Sequence, residues 1–396
     1  MKVLIINQFC GHGSTGRIST DLYDLIEKDG GECCIAYGRY SAPKGYKTYK
    51  LGGKFNSVEH ALETRFFDNH GFASRFATKK FINFIKNFKP DVIHIHNLHG
   101  YYINVNILMN FLKKIDVKIV WTLHDCWPFS PRTAYIDYLE NDKLPTYQDA
   151  KESKNKYPEV FFPMWNNYKR KKNAFLGFSD LTIVTPSEWL TEMTTRSFLG
   201  VYKCMTIHNG IDLKQFTPQK RNLALLEEYK LINKKIILAV ASAWDDRKGL
   251  KFVNLVAKYF KNDDEYKVVV IGELKKGNIV DNNAIHIDRT DSIQSLAEWY
   301  SLAYCLLNPT LFDTFPTTNL ESLACGTPVI TFNTGGSPEA VDQYTGIVVN
   351  NEGITELVKA VDEVQHLSKN LCTERAKLFN KDEKFKEYLN LYKGES

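Results

Sequence analysis

Two carboxylates, Asp313 and Glu321, stand eight positions apart around a segment rich in threonine and proline. The apolar run before them is typical of a buried strand, and the residues from Thr317 to Gly326 are typical of a helix closed by a glycine. The first turn of such a helix offers free N–H groups and a positive dipole end, which together bind anions. A carboxylate on each side can accept hydrogen bonds from hydroxyl groups. The spacing therefore predicts a site for a nucleotide sugar, which carries both a diphosphate and hydroxyls.

A basic pair, Arg247 and Lys248, follows another apolar run and precedes a helical pattern. Arginine offers a planar fork of donors and lysine a mobile point charge, so the pair suits a diphosphate. An exposed charged turn is an equally good interpretation of this segment taken alone. A glycine-rich segment, 333–339, is expected to open a further helix close to the same anion site.

Residues 11–16, GHGSTG, match the pattern G-x-G-x-x-G between the first strand and a helix. In dinucleotide-binding folds an acidic residue near the end of the second strand accompanies this pattern, but here that strand is followed by Arg39. A site for NADP that uses Arg39 is one alternative. The simpler interpretation is that Gly13 and Gly16 let a ligand or a facing domain approach the backbone closely.

Histidines cluster after two further apolar runs. His94, His96 and His99 lie at the end of one run, and His124 and Asp125 follow the next. Zinc requires three or four converging ligands, and no carboxylate is interleaved with the first three histidines, so we expect them to line a polar crevice or to bond to the backbone. His124 could donate to a sugar hydroxyl or assist proton transfer. A capped strand end, with the next tryptophan in the core, is the alternative.

The elements that must carry these residues are short apolar runs separated by amphipathic helical patterns. The runs are 2–7, 33–37, 91–96, 117–123, 181–185, 234–241, 266–272, 303–309 and 327–332. Strands that are apolar throughout indicate parallel sheets buried on both faces. We therefore predict an α/β protein of two doubly wound, Rossmann-like domains that face each other across a cleft. In such sheets ligands bind outside the carboxyl ends of the strands, where the residues named above fall.

Composition excludes several classes of protein. The 396 residues suffice for two or three domains, and 43% hydrophobic with 24% charged residues is ordinary for a globular chain. A formal charge of +5 is too small to argue for a nucleic-acid partner. Eight scattered cysteines favour a reducing cytoplasm. The sequence shows neither the pattern of a secretory signal nor an apolar run of about 18 residues, so we expect no segment that crosses a membrane.

The order of these motifs resembles that of the family-4 retaining glycosyltransferases, which have the GT-B fold. The resemblance extends over essentially the whole chain and rests on the glycine-rich loop, HNLHGYYIN, WTLHDCWPF, TPSEWL, IHNGID, RKGL and the D-x7-E segment. It implies that Asp313 and His124 are catalytic, Asp313 near the reacting carbon and His124 against the transferred sugar. It places Glu321 on the donor ribose and Lys248 on the diphosphate. The further donor-binding residues expected are Gly13, Gly16, Arg247, Phe315, Thr317, Thr318 and Asn319.

Two positions depart from the family pattern. Asp313 is one methylene shorter than the usual glutamate, and the usual arginine five residues before Lys248 falls at Ala243, so Arg247 would have to supply that charge. Members of the family need no metal, because basic residues and helix ends neutralise the leaving group. We therefore expect a UDP- or GDP-linked sugar as donor and no metal or other cofactor.

The resemblance also implies a domain organisation and an acceptor. It predicts an acceptor-binding domain over 1–210, a nucleotide-sugar-binding domain over 211–375 and a C-terminal helix within 376–396 that packs back on the first domain. The acceptor would be a saccharide or a polyprenyl-linked saccharide in capsule, exopolysaccharide or O-antigen biosynthesis. Residues 65–89 mix phenylalanine with basic residues, so their helical part, 72–88, could make peripheral contact with the inner face of the cell membrane. Packing of that helix on its own sheet is the alternative.

Three functions stay open at this point. A retaining glycosyltransferase requires tight binding of a nucleoside diphosphate. A sugar-nucleotide epimerase shares the fold and the ligand but needs no acceptor, and a non-catalytic partner subunit of another transferase would keep the fold without turnover. An NADP oxidoreductase is a more distant alternative.

Overall fold

The computed structural model describes residues 1–135, 147–155, 158–163, 166–350 and 353–395. The chain divides into two compact units, one formed by Met1–Ile207 with Phe385–Ser396 and the other by His208–Lys384. The predicted domains instead divide after residues 210 and 375, so the segment 376–384, which the prediction assigned to the last helix, lies in the second unit.

The first unit is built on a parallel sheet of seven strands in the order β3-β2-β1-β4-β5-β6-β7. The strands are β1 (Lys2–Asn7), β2 (Glu32–Tyr37), β3 (Thr48–Lys50), β4 (Val92–Ile95), β5 (Lys118–Thr122), β6 (Leu181–Thr185) and β7 (Lys203–Thr206). The helices in the described part are α1 (Gly13–Lys28), α2 (Lys54–Phe67), α3 (Arg75–Phe88), α4 (Val105–Leu112), α5 (Tyr147–Glu152), α6 (Asn166–Phe175) and α7 (Glu188–Arg196). The central strand β4 is buried at every residue, as a sheet covered on both faces requires.

The second unit has a parallel sheet of six strands in the order β10-β9-β8-β11-β12-β13. The strands are β8 (Lys235–Trp244), β9 (Tyr266–Leu274), β10 (Ile285–Ile287), β11 (Cys305–Asn308), β12 (Val329–Phe332) and β13 (Gly346–Val349). The helices of its described residues are α8 (Leu223–Glu228), α9 (Leu250–Tyr259), α10 (Ile293–Leu302), α11 (Thr317–Ala324), α12 (Ile354–Glu363) and α13 (Lys369–Lys377). Two apolar clusters pack against this sheet. The prediction of two doubly wound parallel sheets is confirmed.

Each sheet has one topological switch point, where successive crossovers leave in opposite directions. In the first sheet it lies between β1 and β4, and in the second between β8 and β11. The loops that follow these strands diverge at the carboxyl edge and leave a crevice, which is where open α/β sheets bind ligands. Gly13 and His96 follow the first pair of strands, and Lys248 and Asp313 follow the second pair. The topology therefore brings predicted site residues to both switch points.

The last helix, α14 (Lys381–Lys393), carries the chain into the core of the first unit. Phe385, Tyr388 and Leu389 are buried there among residues of β1, β2 and β5. The Nζ of Lys118 donates to the carbonyl oxygens of Leu391 and Tyr392 at 3.2 and 3.0 Å. These carbonyls belong to the last turn of the helix, so a cation there also complements the helix dipole.

Helix α3 bears on the two interpretations of its segment. The sequence left peripheral membrane contact by 72–88 and packing of that segment on its own sheet as alternatives, and Phe72, Phe81, Ile85 and Phe88 are all buried inside the first unit. Its apolar side is therefore already covered by the protein, as the alternative interpretation stated. None of the helices in the described residues is long and apolar enough to span a bilayer.

Candidate functional site

In the second unit, a lysine and a carboxylate form a close pair at the switch point. The Nζ of Lys248, in the turn after β8, lies 2.6 Å from Asp313 Oδ2 in the loop after β11. The two side chains are only 17% and 18% exposed. Burial raises the pKa of the Asp313 carboxyl, but Lys248 and then Arg247 outweigh it, so the pKa lies below its usual value. The carboxylate is therefore ionised at neutral pH.

Arg247 holds the loop that carries this pair. Its Nη1 donates to the carbonyl of Phe312 at 2.9 Å and lies 3.8 Å from Asp313 Oδ2. Its Nε lies 4.0 Å from Asp245, whose other oxygen accepts a hydrogen bond from Lys275 at 2.7 Å. Lys248 is thus the cation in contact with Asp313, and Arg247 stands just behind it.

Two glycines make close backbone contacts beside the Lys248–Asp313 pair. Gly335 has a φ of +56°, and a Cβ at this position would lie 2.1 Å from the carbonyl oxygen of Asp313. The N–H of Gly336 donates to the same oxygen at 3.0 Å. Only glycine permits this approach of two backbones. Instead of the helix expected after 333–339, the chain forms only a 3-10 helix, Ser337–Ala340.

Helix α11 begins at Thr317, as the sequence predicts, with Pro316 as its N-cap and no side-chain cap among the described residues. The N–H of Asn319 donates to the carbonyl of Pro316 at 3.2 Å. The N–H groups of Thr317 and Thr318 lie too early in the helix for a partner four residues back, which leaves backbone donors for an anion. Thr317 and Thr318 are partly exposed at this end. Asn319 differs, because its buried amide bonds to Asn308 and Ser337 and so fixes the helix start against the sheet.

Glu321 lies one turn into α11 and is 8% exposed. Its Oε2 accepts a hydrogen bond from the hydroxyl of Tyr300 at 2.8 Å. Burial and then the carboxylate raise the pKa of Tyr300 well above its usual value, so the phenol stays a donor. Tyr300 therefore orients Glu321. Nothing in the sequence pattern indicates this role, since Tyr300 reads as one more apolar residue of α10.

Phe315 is buried, at 2% exposure, and supports the loop from inside. Its ring centroid lies 4.9 Å from that of His208 and 5.6 Å from that of Phe379. The Nε2 of His208 lies 3.2 Å from a carboxylate oxygen of Glu339. The structure thus places Phe315 in the core, where it could act on a ligand only through its backbone.

In the first unit, a pair of imidazoles lies at the carboxyl edge of the sheet. His96 follows β4 and His124 follows β5, and the Nδ1 of the former lies 2.9 Å from the Nε2 of the latter. The two rings are nearly parallel. Burial lowers the pKa of His124 to about 4 and that of His96 well below its usual value. Both rings are therefore neutral at pH 7.

A third imidazole, His94, ties this edge to the C-terminal helix. Its Nδ1 lies 2.6 Å from the hydroxyl of Tyr392, and its Nε2 lies 2.8 Å from Oγ1 of Thr122. Thr122 lies 3.2 Å from the hydroxyl of Tyr388. Burial lowers the pKa of His94 to about 3. The neutral ring needs one donor and one acceptor, and the Tyr392 and Thr122 hydroxyls supply them. His94 therefore bonds to side chains and not to the backbone.

Asp125 and Trp127 fix the loop after β5. The Nε2 of His99 lies 2.7 Å from Asp125 Oδ2, and the N–H of Trp127 donates to Oδ1 at 2.9 Å. The Trp127 ring is buried, and its Nε1 donates to Nδ1 of His70 at 2.9 Å. Asp125 thus serves the capped strand end, while the neighbouring His124 remains half-buried at the edge.

Buried charged residues also support this loop. The sequence analysis did not identify them as site residues. Arg132 Nε lies 3.2 Å from Asp68 Oδ1, with both side chains 1% exposed. The fully buried Lys171 donates to the carbonyl of Trp127 at 2.6 Å, and burial lowers its pKa to about 7. Such groups are found by burial and pairing, which a sequence does not display.

The glycine-rich loop has two distinct glycines. Gly13 is exposed, has a φ of +65° and opens α1, and a Cβ there would meet no atom within 4 Å. Gly16 is buried, and a Cβ there would lie 3.2 Å from Gly11 N and Phe9 Cβ. The close approach at Gly16 is therefore internal to the loop, whereas Gly13 leaves its surroundings open. Arg39, considered for NADP, lies over the rings of Tyr40 and Tyr101.

The described residues contain no group of three or more His, Cys, Asp or Glu side chains arranged to hold a metal ion. The histidines of β4 bond to His124, Thr122 and Tyr392, as given above.

Comparison with known proteins identifies the family. Residues 16–215, half of the chain, match the family described as Glycosyltransferase Family 4. Residues 234–366 match the family described as Glycosyl transferases group 1. The chain therefore belongs to Glycosyltransferase Family 4 and is a glycosyltransferase, which confirms the family prediction.

One relative is similar over nearly the full length. It is the putative colanic acid biosynthesis glycosyl transferase WcaC of Escherichia coli K12, which is 24% identical over 390 residues, covering 91% of this chain and 90% of the relative.

Two solved structures share the fold. Sucrose-phosphate synthase from Thermosynechococcus elongatus superposes with a TM-score of 0.72 at 16% identity, covering 100% of this chain and 98% of that chain. The Anabaena protein HepE, solved in complex with UDP, gives a TM-score of 0.68 at 11% identity, with both chains covered completely. At these identities the likeness concerns the fold alone, and the predicted GT-B fold is confirmed.

Proposed function

We propose that this glycosyltransferase moves a sugar from a UDP- or GDP-linked donor to a saccharide or a polyprenyl-linked saccharide, with retention of the anomeric configuration. The reaction takes place in the cytoplasm and serves the biosynthesis of a cell-surface polysaccharide. The colanic acid role named for WcaC supports the polysaccharide part of this proposal. HepE has been solved with UDP-glucose, and another relative is named as GDP-mannose-dependent, so both donor classes are retained.

One observation carries the proposal: the Lys248–Asp313 pair and Glu321 lie on either side of the uncapped first turn of α11. A nucleotide sugar requires cations and N–H donors for the diphosphate and carboxylates for the hydroxyls. This edge of the second sheet offers each of these groups: the cations in the turn after β8, Asp313 in the loop after β11, and the N–H groups and Glu321 in the first turns of α11.

Each residue then has a chemical task. Lys248, Arg247 and the N–H groups of α11 stabilise the charge that grows on the departing diphosphate, without a metal. Asp313, ionised beside Lys248, faces the positive charge that develops at the sugar carbon. Glu321, held by Tyr300, accepts hydrogen bonds from the ribose. In the first unit, His124 contacts the transferred sugar.

The test is calorimetric titration with UDP, GDP, ADP and NADP on the native chain and on Glu321→Gln. Glutamine keeps an acceptor for Tyr300 but removes the charge, so we expect one nucleoside diphosphate to bind and the variant to bind it roughly tenfold more weakly. Glu298→Gln is the matched control, because Glu298 accepts a hydrogen bond from Asn222 at 2.9 Å in the same unit. The Glu298→Gln variant should bind the nucleoside diphosphate with the affinity of the native chain. If no nucleotide binds, or only NADP, the proposal fails.

Turnover separates the remaining alternatives. NMR of the bound donor sugar, followed without acceptor, reports epimerisation if the protein is a sugar-nucleotide epimerase. With an oligosaccharide acceptor, the coupling constant of the new anomeric proton reports retention or inversion. Binding of the donor with neither reaction, across a panel of acceptors, would favour the partner-subunit alternative.

A further inference from the structure

Helix α2 of the first unit is amphipathic in the inverted sense. Its two buried side chains are polar: His60 Nδ1 lies 2.7 Å from Ser74 Oγ, and Thr64 bonds back to the carbonyl of His60. The N–H of Gly71 donates to His60 Nε2 at 3.1 Å. Helices of globular proteins ordinarily bury their apolar stripe and expose their polar one. In α2 the packing against the protein is made by hydrogen bonds instead.

The apolar residues of α2 face outward. Phe55, Val58, Leu62 and Phe66 are 93%, 58%, 52% and 44% exposed. Their spacing of three, four and four residues places them in one narrow stripe along the helix. Phe161 extends the stripe, since its ring centroid lies 5.4 Å from that of Phe66. An exposed stripe of this kind marks an interaction surface, because isolated exposed apolar residues would not align.

We propose that this face of α2 binds the anionic surface of a phospholipid bilayer. The charge around it decides among possible occupants. In residues 54–80 the exposed charged side chains are Lys54, Glu59, Arg65, Arg75, Lys79 and Lys80. Arg65 is offset by Glu159 at 3.1 Å, which leaves four cations against one carboxylate. Basic residues around an apolar helix face suit anionic headgroups, each cation adding to the attraction.

The proposed surface lies on α2 and not along the segment 72–88. In α3, Phe81 and Phe88 are buried and Phe84 is half-buried, whereas Phe76 is 71% exposed and its ring centroid lies 4.5 Å from Lys80 Nζ. That ring stands in the first turn of α3, and Asn56 of α2 bonds to Ser74 just before it. Contact with the bilayer therefore involves α2 and the start of α3, not the length of α3.

The test uses sedimentation with phosphatidylcholine vesicles that contain or lack phosphatidylglycerol. The full chain should bind only the anionic vesicles, and high salt should weaken binding. A triple variant, Phe55→Ser, Leu62→Ser and Phe66→Ser, should bind at least roughly tenfold more weakly. The matched control, Val201→Ser, Tyr259→Ser and Ile279→Ser, removes apolar residues that are 72%, 62% and 76% exposed elsewhere. It should bind as the native chain does.

Three results would overturn the proposal. The native chain could fail to bind anionic vesicles, or the stripe variant could bind them as well as the native chain. In the third, light scattering would show a dimer that the stripe substitutions abolish, and a second copy of the chain would then be the occupant. Nucleotide binding of the stripe variant, measured in parallel, shows whether the fold and the proposed donor site are intact, so the two proposals fail separately.

A second inference concerns the tautomer of His124 and rests in part on the proposed function. The bond between His96 Nδ1 and His124 Nε2 contains one proton. His96 is 1% exposed, and its Nε2 has no hydrogen-bond partner among the described residues. A proton on that Nε2 would be a buried donor without a partner, and orphaned buried N–H groups are rarer in proteins than acceptors without a partner.

We infer that His96 carries its proton on Nδ1 and donates it to His124 Nε2, so that His124 is protonated on Nδ1. His96 is then a positioning residue. It makes His124 a hydrogen-bond donor to the sugar and removes its capacity to act as a base through Nε2. Of the two tasks that the sequence leaves open for His124, donation and proton transfer, this favours donation.

The test is the ¹⁵N NMR spectrum of histidine-labelled protein, in which the shifts of Nδ1 and Nε2 report the tautomer. His96→Asn should preserve the His124 tautomer, because an asparagine amide can donate where Nδ1 does. His96→Leu should release His124 toward the Nε2-protonated form. The His124 signals are assigned by their loss in His124→Gln. An Nε2 proton on His124 in the native chain, or no change in His96→Leu, would overturn the inference. Nucleotide titration of the same samples tests the proposed function independently.

Discussion

At the carboxyl edge of the first sheet, imidazoles follow the neighbouring strands β4 and β5, whereas at the switch point of the second sheet an ammonium follows β8 and a carboxylate follows β11. Burial lowers the pKa of His94 to about 3 and that of His124 to about 4, so these rings are neutral. Asp313 is also largely buried but stays charged, because Lys248 lies 2.6 Å away. Desolvation keeps the imidazoles of the first edge neutral, and pairing with Lys248 keeps the Asp313 carboxylate of the second edge charged. A neutral edge suits hydroxyl groups, and a charged one suits a diphosphate.

The largest expected difference between the two units is their stability in acid. A histidine with a folded pKa below its unfolded value of about 6.5 binds its proton more readily when unfolded. Its unfavourable contribution therefore appears as pH falls below about 6.5. At about pH 5, each of His60, His94 and His124 should cost the first unit about 1–2 kcal/mol. The lowered pKa of Asp313 stabilises the second unit until pH falls below about 4.

Hydrogen exchange read by mass spectrometry checks this directly, with rates corrected for intrinsic pH dependence. Between neutral pH and about pH 5, peptides from β4 and β5 should lose protection while peptides from β11 and β12 keep it. Loss of protection in both sheets at the same pH, or in the second sheet first, would show that the imidazoles do not govern the first unit.

Removing one member of the Lys248–Asp313 pair should have the next largest effect, which is a loss of donor affinity. Lys248→Met leaves Asp313 without its contact cation, so donor affinity should fall roughly 100-fold. Lys275→Met is the control, because Lys275 pairs with Asp245 at 2.7 Å but is 58% exposed. An exposed pair contributes little, about 0–1 kcal/mol. Calorimetry with the nucleoside diphosphate measures both, and equal losses would mean that burial of the Asp313 pair is not what matters.

A glycine pair tests how far the Asp313 loop depends on backbone contact. Gly335→Ala would bring a Cβ to 2.1 Å from the Asp313 carbonyl, whereas Gly277→Ala, also at positive φ, would meet no atom within 4 Å. Both changes should destabilise the fold by about 1 kcal/mol through backbone strain. Only Gly335→Ala should also displace the carboxylate and weaken donor binding by roughly tenfold. Equal donor affinity in the two variants would show that the loop can shift without moving Asp313.

The strands show what hydrophobic pattern can and cannot predict. All nine predicted strands exist, and the part of the chain that the structure describes contains four more, which are β3, β7, β10 and β13. Each of these four is at an edge of its sheet. An edge strand is covered by one neighbour only, so β3, β7 and β10 need no continuous apolar run. The fourth, β13, is apolar (GIVV), and the sequence analysis missed it for no such reason. The pattern reports burial, and edges are less buried.

The candidate site divides in a similar way. Lys248, Asp313 and Glu321 could be found because strand ends and helix starts leave a sequence signal. Tyr300 and Lys171 could not, because each acts through a contact with a residue distant in sequence. Asn319 and Phe315 lie in the predicted segment, yet their side chains are buried. Spacing identifies the segment, and only packing decides which side chains of that segment face outward.

The smallest expected effect tests how the C-terminal helix supports the neutral edge. Tyr392→Phe removes the hydroxyl 2.6 Å from His94 Nδ1 and leaves a buried ring nitrogen unpaired, which should cost about 1–2 kcal/mol in urea unfolding. The neighbouring Lys393→Ala removes an exposed pair with Asp29 and should cost less than about 0.5 kcal/mol. If Tyr392→Phe costs no more than Lys393→Ala, the imidazole edge is held by its own sheet and not by α14.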